Sequence, residues 1–211
     1  HVAVSVPTRI LLKRNLLGTV CRVESLGPEG SPRVVVERDT RLAPWWLRAL
    51  ARRLAAREAH TLATLARVPG VPKLEDWDGR CLRRTWLDGS PMQRAQARDR
   101  AYFREALRLL RRLHTAGIVH NDLQKESSWL VTTEGRPALF DFQVATRPPY
   151  RGRRFRALAC DDLRQLLAHK RTYCAAALTP RQRAMLAPRS MLAEVLVRLG
   201  KPVHAWLRAH A

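Results

Sequence analysis

The segment 113–145, LHTAGIVHNDLQKESSWLVTTEGRPALFDFQVA, constrains the fold more than any other part of the chain. A periodic helical run from about Arg98 to Thr115 ends in it, with Phe103, Leu107, Leu110 and Leu113 on one face and Gly117 as the stop signal. A His-Asn-Asp loop follows at 120–122, then short apolar runs at 129–132 and 138–145, the second holding an Asp-Phe-Gln turn. Such runs, bounded by turn residues, read as short strands. Helix, His-x-Asp loop, strand pair and Asp-Phe-x turn in that order bring two aspartates, Asp122 and Asp141, to the ends of short buried elements.

The flanks extend the pattern. Residues 9–23 and 33–37 are β-rich runs separated by the turn signal LGPEGSP at 26–32, and Gly18 stands between strands in LLGTVCRV. From Pro44 to Arg67 the spacing of Trp46, Leu47, Leu50, Leu54, Leu62 and Leu65 predicts a helix with Pro44 in its first turn. WDGRCLRRTWLDG at 77–89 predicts a hairpin turning at Asp78-Gly79. Beyond Pro149 the pattern predicts helical pieces near 161–170, 180–187, 190–199 and 203–210, with Asp161 or Asp162 capping the first. A composition shift near 89–98 divides the chain into 1–90, sheet plus one long helix, and 91–211, mostly helical.

Charge and cysteine usage narrow the class of partner. Lys plus Arg number 39 against 18 Asp plus Glu, a formal charge of +21 over 211 residues, which attracts phosphates, nucleic acid or an anionic leaflet. Cys21, Cys81, Cys160 and Cys174 are widely spaced without C-x-x-C, against a zinc ribbon or a dense disulfide framework and in favour of a reducing, cytoplasmic compartment. No apolar run approaches the roughly 20 residues that span a bilayer. Leu192, Val195, Leu196, Leu199, Val203 and Trp206, interleaved with basic residues, form a stripe that suits core packing or a peripheral contact with the inner face of an anionic membrane.

The helix, HND and DFQ series resembles the core of the protein-kinase-like superfamily, most closely the small bacterial kinases of the RIO and lipopolysaccharide (Kdo) kinase kind. The resemblance is strong over 100–173 and looser over 9–90. It implies an α+β, two-lobed protein-kinase-like fold with a small antiparallel-sheet N-lobe and a shortened helical C-lobe. It further implies a phosphotransferase that uses ATP and Mg2+. By the same resemblance Asp122 orients the acceptor hydroxyl, His120 packs beneath the loop, and Lys125 reaches the transferred phosphate as a point charge. Asp141 and Ser128 take the metal positions, and Gly18, Val20, Arg38 and Glu58 the nucleotide positions. The chemistry needs those types: one carboxylate near the nucleophile, another on the metal that offsets phosphate charge.

Three positions depart from the pattern. Ser127 or Ser128 stands where an Asn holds the second metal. Glu37, in VVVE, stands where the strand lysine belongs, opposite the helix carboxylate Glu58, so that two carboxylates would repel. Arg38 restores a cation only through a strand irregularity, since neighbouring strand residues face opposite sides, and Lys13 or Arg22 are the other candidates. Gly18 alone remains of the phosphate-covering glycines.

Only about twenty residues separate Asp141 from Asp161-Asp162, and no Ala-Pro-Glu triplet occurs, which disfavours a peptide substrate. YRGRRFR at 150–156 suits a polyanionic acceptor instead: a sugar, lipopolysaccharide-type or lipid-linked anion. The competing expectation is a pseudokinase whose basic surface serves as a docking module. A nucleic-acid module rests on charge alone and is disfavoured.

Overall fold

The computed structural model describes residues 7–27 and 30–187. The architecture is α+β, and the described residues fall into two compact units: those up to Ala66 together with Pro72–Trp86, and Arg67–Val71 together with 87–187. The first unit therefore ends at Trp86 rather than near residue 90, and the segment 67–71 belongs to the second.

The first unit is a five-stranded antiparallel sheet in the order β1-β2-β3-β5-β4 with one long helix. Strands β1 (Thr8–Asn15) and β2 (Gly18–Leu26) form a tight hairpin through Leu16 and Leu17, and β3 (Pro32–Asp39) pairs with β2. Helix α1 (Arg48–Thr64) follows, then β4 (Leu74–Trp77) and β5 (Cys81–Thr85), joined at Asp78-Gly79. The Asp78 carboxylate accepts the N–H groups of Arg80 and Cys81, which closes that turn and holds its own pKa below the usual carboxylate value.

Helix α1 starts four residues later than its periodicity predicts, because Pro44 accepts the Leu47 N–H at 2.9 Å in a separate turn. Trp46 therefore leaves the apolar stripe and is 58% exposed, while Leu47, Leu54, Leu62 and Leu65 stay in the core with Val36 and Leu82. At Gly18, φ is +113° and an added Cβ would lie 2.1 Å from the Asp39 carbonyl oxygen. Close approach of two backbones is what requires glycine there.

The second unit begins with the short strand β6 (Ser90–Pro91) and the single helical turn α2 (Met92–Ala95). Helix α3 (Arg100–Thr115) is capped by Asp99, which accepts the Ala101 N–H at 2.7 Å. It buries Tyr102, Phe103, Ala106, Leu109, Leu110 and Leu113, one face at three- and four-residue steps. It ends in a Schellman arrangement: Ile118 N–H donates to Leu113 O and Gly117 N–H to His114 O, each at 3.0 Å, with Gly117 at φ +79°. Strands β7 (Trp129–Val131) and β8 (Pro137–Leu139) complete a three-stranded sheet with β6.

Helix α4 (Arg153–Cys174) is one 22-residue element, not a piece beginning near 161. Asp161 and Asp162 thus lie in its middle and cap nothing, and Arg153, Arg154 and Arg156 ride on its exposed first turn. Arg151, just before it, donates to the Thr115 carbonyl at the end of α3, a favourable place for a cation. Helix α5 (Pro180–Leu186) starts from a capping box made by Thr179 and Gln182. The helical pieces expected at 190–199 and 203–210, and the apolar stripe from Leu192 to Trp206, lie outside the described residues.

Candidate functional site

The HND loop is assembled by a residue 40 positions downstream. Asp162, fully buried on α4, accepts the His120 N–H through Oδ2 at 2.8 Å and the Asn121 N–H through Oδ1 at 2.9 Å. The His114 ring Nε2 lies 3.2 Å from the same Oδ2 and donates to it. Three donors satisfy a carboxylate whose burial would otherwise be costly. Asp162 is therefore the anchor of the loop, and its role as a helix cap is corrected.

His120 is buried against Phe142, the ring centroids 4.8 Å apart. Its Nδ1 accepts the Asp122 N–H at 3.3 Å and its Nε2 faces the Phe140 carbonyl at 3.1 Å, a pattern that assigns the Nε2–H tautomer. Asn121 takes a left-handed φ of 67°, which Asn tolerates, and its amide donates to Val144 O at 3.1 Å and Thr146 Oγ1 at 2.9 Å. Val119 and Thr146 exchange both backbone hydrogen bonds. The HND and DFQ segments are thus tied together at three points.

Within this frame Asp122 is buried and its Oδ2 pairs with Lys125 Nζ at 3.1 Å. Ser128 is buried, and its hydroxyl donates to the Asp122 carbonyl at 3.2 Å, so it shapes the loop from within. Asp141 has a left-handed φ of 66°, and its Oδ1 accepts from Gln143 Nε2 at 2.5 Å. Backbone of this kind in a non-glycine residue is retained where surrounding contacts impose it. Behind the loop, His169 Nε2 donates to Leu123 O at 2.7 Å, and Glu126 accepts the Tyr173 hydroxyl at 2.6 Å. That carboxylate pushes the Tyr173 pKa up to about 12.

In the first unit strand register decides which cations meet Glu58. Val20 pairs with Arg38 and Arg38 with Leu82, so these share one face with Val36 and Arg84, and Glu58 of α1 meets that face. Arg38 Nε lies 3.2 Å from Glu58 Oε2, and Arg84 Nε 3.3 Å from Oε1. Glu58 is 0% exposed and Arg38 8%. Glu37 points to the opposite face, where Arg9 and Arg83 hold it, Arg83 Nε at 2.9 Å from Oε1.

The repulsion between Glu37 and Glu58 therefore does not exist, and no strand irregularity is needed. Alternation itself delivers Arg38 to Glu58. Arg22 is engaged elsewhere, with Glu24 at 2.9 Å and over the Trp86 ring. Lys13 is exposed on the edge strand β1, opposite Val20.

Several contributors escaped sequence reasoning: Asp162, His114, Asn121, His169 and Arg84. For Asp162 a signal existed. Phe155, Leu158, Asp162, Leu166 and His169 recur at three- and four-residue steps, so a carboxylate sits on the buried stripe of α4.

Among the described residues no group of three or more His, Cys, Asp or Glu side chains forms a metal cage. Asp141 offers a carboxylate, whereas the Ser128 hydroxyl is buried and already donates to the Asp122 carbonyl. A lone carboxylate fits magnesium carried by nucleotide phosphates, which keeps its waters and takes one or two protein carboxylates. A groove of about 670 Å3 in the second unit, lined by Gly70, Leu109, Arg112, Thr132 and Pro137, includes none of the loop residues. Among the described residues no helix is long and apolar enough to cross a membrane. Compared with protein-family models and with curated protein sequences, the chain matches none.

Proposed function

We propose that this chain is a small ATP-dependent phosphotransferase of protein-kinase-like, two-lobed design, acting on a hydroxyl of an anionic non-protein acceptor of the sugar or lipopolysaccharide type. The observation that carries the reading is the double clamp of Asp162 on the backbone of His120 and Asn121, which presents Asp122 beside Lys125. A carboxylate fixed next to an ammonium is what in-line transfer of a phosphoryl group requires: an orienting base for the hydroxyl and a positive charge for the moving phosphate.

In the proposed reaction the acceptor oxygen forms a bond to the γ-phosphorus while the bridging bond to the β-phosphate breaks. ADP leaves with the electron pair, and the hydroxyl proton passes to the Asp122 carboxylate. Magnesium bound to the nucleotide offsets phosphate charge, and Asp141 is the residue assigned to it. Arg38, held by Glu58, is assigned to the α- and β-phosphates; its planar fork gives bidentate contacts a lysine does not. Exposed Arg153, Arg154 and Arg156 at the start of α4 suit an acceptor bearing several phosphates or carboxylates.

The test is calorimetric titration of ATP with and without magnesium, on the native chain and on Asp141→Asn. Magnesium-dependent binding that the variant loses is the expected result. Absence of binding at millimolar ATP overturns the reading. The second reading, a pseudokinase acting as a basic docking module, is favoured by two features: the turn before Gly18 has only Leu16 and Leu17, and the Ser128 hydroxyl is engaged by Asp122.

A further inference from the structure

Leu42, Trp45 and Trp46 are 62%, 83% and 58% exposed, three large apolar side chains within five residues of the first unit. Their exposure has a local cause. Pro44 starts a turn before α1, and the buried members of this stretch are Ala43 and Leu47, so the intervening tryptophans are turned outward. Nothing in the catalytic arrangement uses them. Leaving two indoles in water-facing positions is unfavourable, since each forfeits much of the transfer free energy that burial would return.

The charge around them selects the partner. From Thr40 to Arg57 the sequence holds five arginines, Arg41, Arg48, Arg52, Arg53 and Arg57, and no acidic residue. Arg41 is engaged by Asp39, and its guanidinium holds that carboxyl below its usual pKa. Arg53 is exposed, and Arg48, Arg52 and Arg57 are partly so. Glu58, the next carboxylate, is buried against Arg38 and Arg84 and adds no negative surface.

An exposed Trp pair with an aliphatic neighbour, in a segment whose charged side chains are all arginines, has the composition of an interfacial anchor: indoles at headgroup depth, leucine deeper, guanidinium groups on lipid phosphates. We infer that the Leu42–Arg53 segment docks the chain on an anionic bilayer surface, with Trp45 and Trp46 inserted at the headgroup level. A second copy of the chain, or a single-stranded nucleic acid stacking on the indoles, are the other occupants such a surface admits. The aliphatic Leu42 and the uniform positive charge favour lipid over both: two copies would bring like charges together, and an aliphatic side chain gives a base nothing to stack on. The docking holds whether or not the chain transfers phosphate.

The experiment is sedimentation of the full chain with vesicles of equal parts phosphatidylcholine and phosphatidylglycerol, beside vesicles of phosphatidylcholine alone. The variants are Trp45→Ser/Trp46→Ser and, as a control that removes charge only, Arg53→Gln. Both sites are exposed, and far-ultraviolet circular dichroism checks that the variants fold. Binding to the anionic vesicles, weakened more than about tenfold in the double variant and a fewfold in Arg53→Gln, is expected. Quenching of tryptophan fluorescence by brominated lipid, lost in the double variant, is expected with it. Three results overturn the inference: no binding of the native chain to anionic vesicles; binding unchanged in the double variant; or a dimer, or a complex with mixed-sequence single-stranded RNA, that depends on Trp45 and Trp46 while vesicle binding does not.

Discussion

The Asp162 carboxylate accepts the backbone N–H of His120 at 2.8 Å from inside the middle of α4. A side chain thus does the work that a strand partner would do elsewhere, satisfying two successive N–H groups of an irregular loop in the protein interior.

Asp162→Ala strands both of those N–H groups and the His114 ring, and a loss of about 2–4 kcal/mol is expected from leaving them unsatisfied. Neighbouring Asp161→Asn, which keeps an acceptor for Gln165 and leaves the loop N–H groups satisfied, is expected to cost less than Asp162→Ala. Urea unfolding of the two variants side by side checks the contrast.

Glu58 and Glu37 respond differently to the same change. Glu58→Gln leaves two buried guanidinium groups facing a neutral amide, and about 3–5 kcal/mol of destabilisation is expected. For Glu37→Gln, whose partners Arg9 and Arg83 are half exposed, the expected loss is about 1 kcal/mol or less. Equal losses in chemical denaturation would refute the register that puts Arg38, and not Glu37, beside the helix.

Gly18→Ala is expected to cost more than about 2 kcal/mol, because the new methyl group meets the Asp39 carbonyl and the backbone is left-handed. Gly79→Ala, also at positive φ but with open space around it, is expected to cost about half as much. Thermal melts of both variants separate the steric from the conformational part.

Tyr173 contributes a pH dependence with a definite sign. Its folded pKa, raised to about 12 by the Glu126 carboxylate that accepts a hydrogen bond from its hydroxyl, lies above the ordinary value of 10.0. The folded state holds that proton more tightly, so the stabilisation is complete below pH 10 and is lost as pH rises toward 12. Absorbance titration of native protein minus Tyr173→Phe is expected to show this late ionisation, and Glu126→Gln to bring it back toward 10.

How much of this was legible in the sequence depended on whether one residue of error mattered. Helix α3, the Asp78-Gly79 hairpin and the paired runs after HND are periodic or turn-marked, and an error of a residue or two leaves them intact. Which of Glu37 and Arg38 faces Glu58 is not legible without the register, because a strand alternates with period two and a shift of one residue moves a side chain from one face to the other. Trp46 followed the helical spacing of its neighbours, yet Pro44 makes a turn of its own and the helix starts only at Arg48. Asp162 lies where the sequence pattern predicts a helix start near 161; arginine is a good helix former, and the buried stripe running back to Phe155 shows the helix already under way.

The long reach of Asp162 also bears on how the molecule comes into being on the ribosome. When Asp122 leaves the exit tunnel, the carboxylate that shapes its loop, 40 residues behind, has not yet emerged, and His120 and Asn121 lack that acceptor for their N–H groups. A nascent chain stopped at Ala159 would hold every residue of the HND and DFQ segments and still lack the carboxylate that fixes their loop, which becomes available only once Asp162 has itself cleared the tunnel.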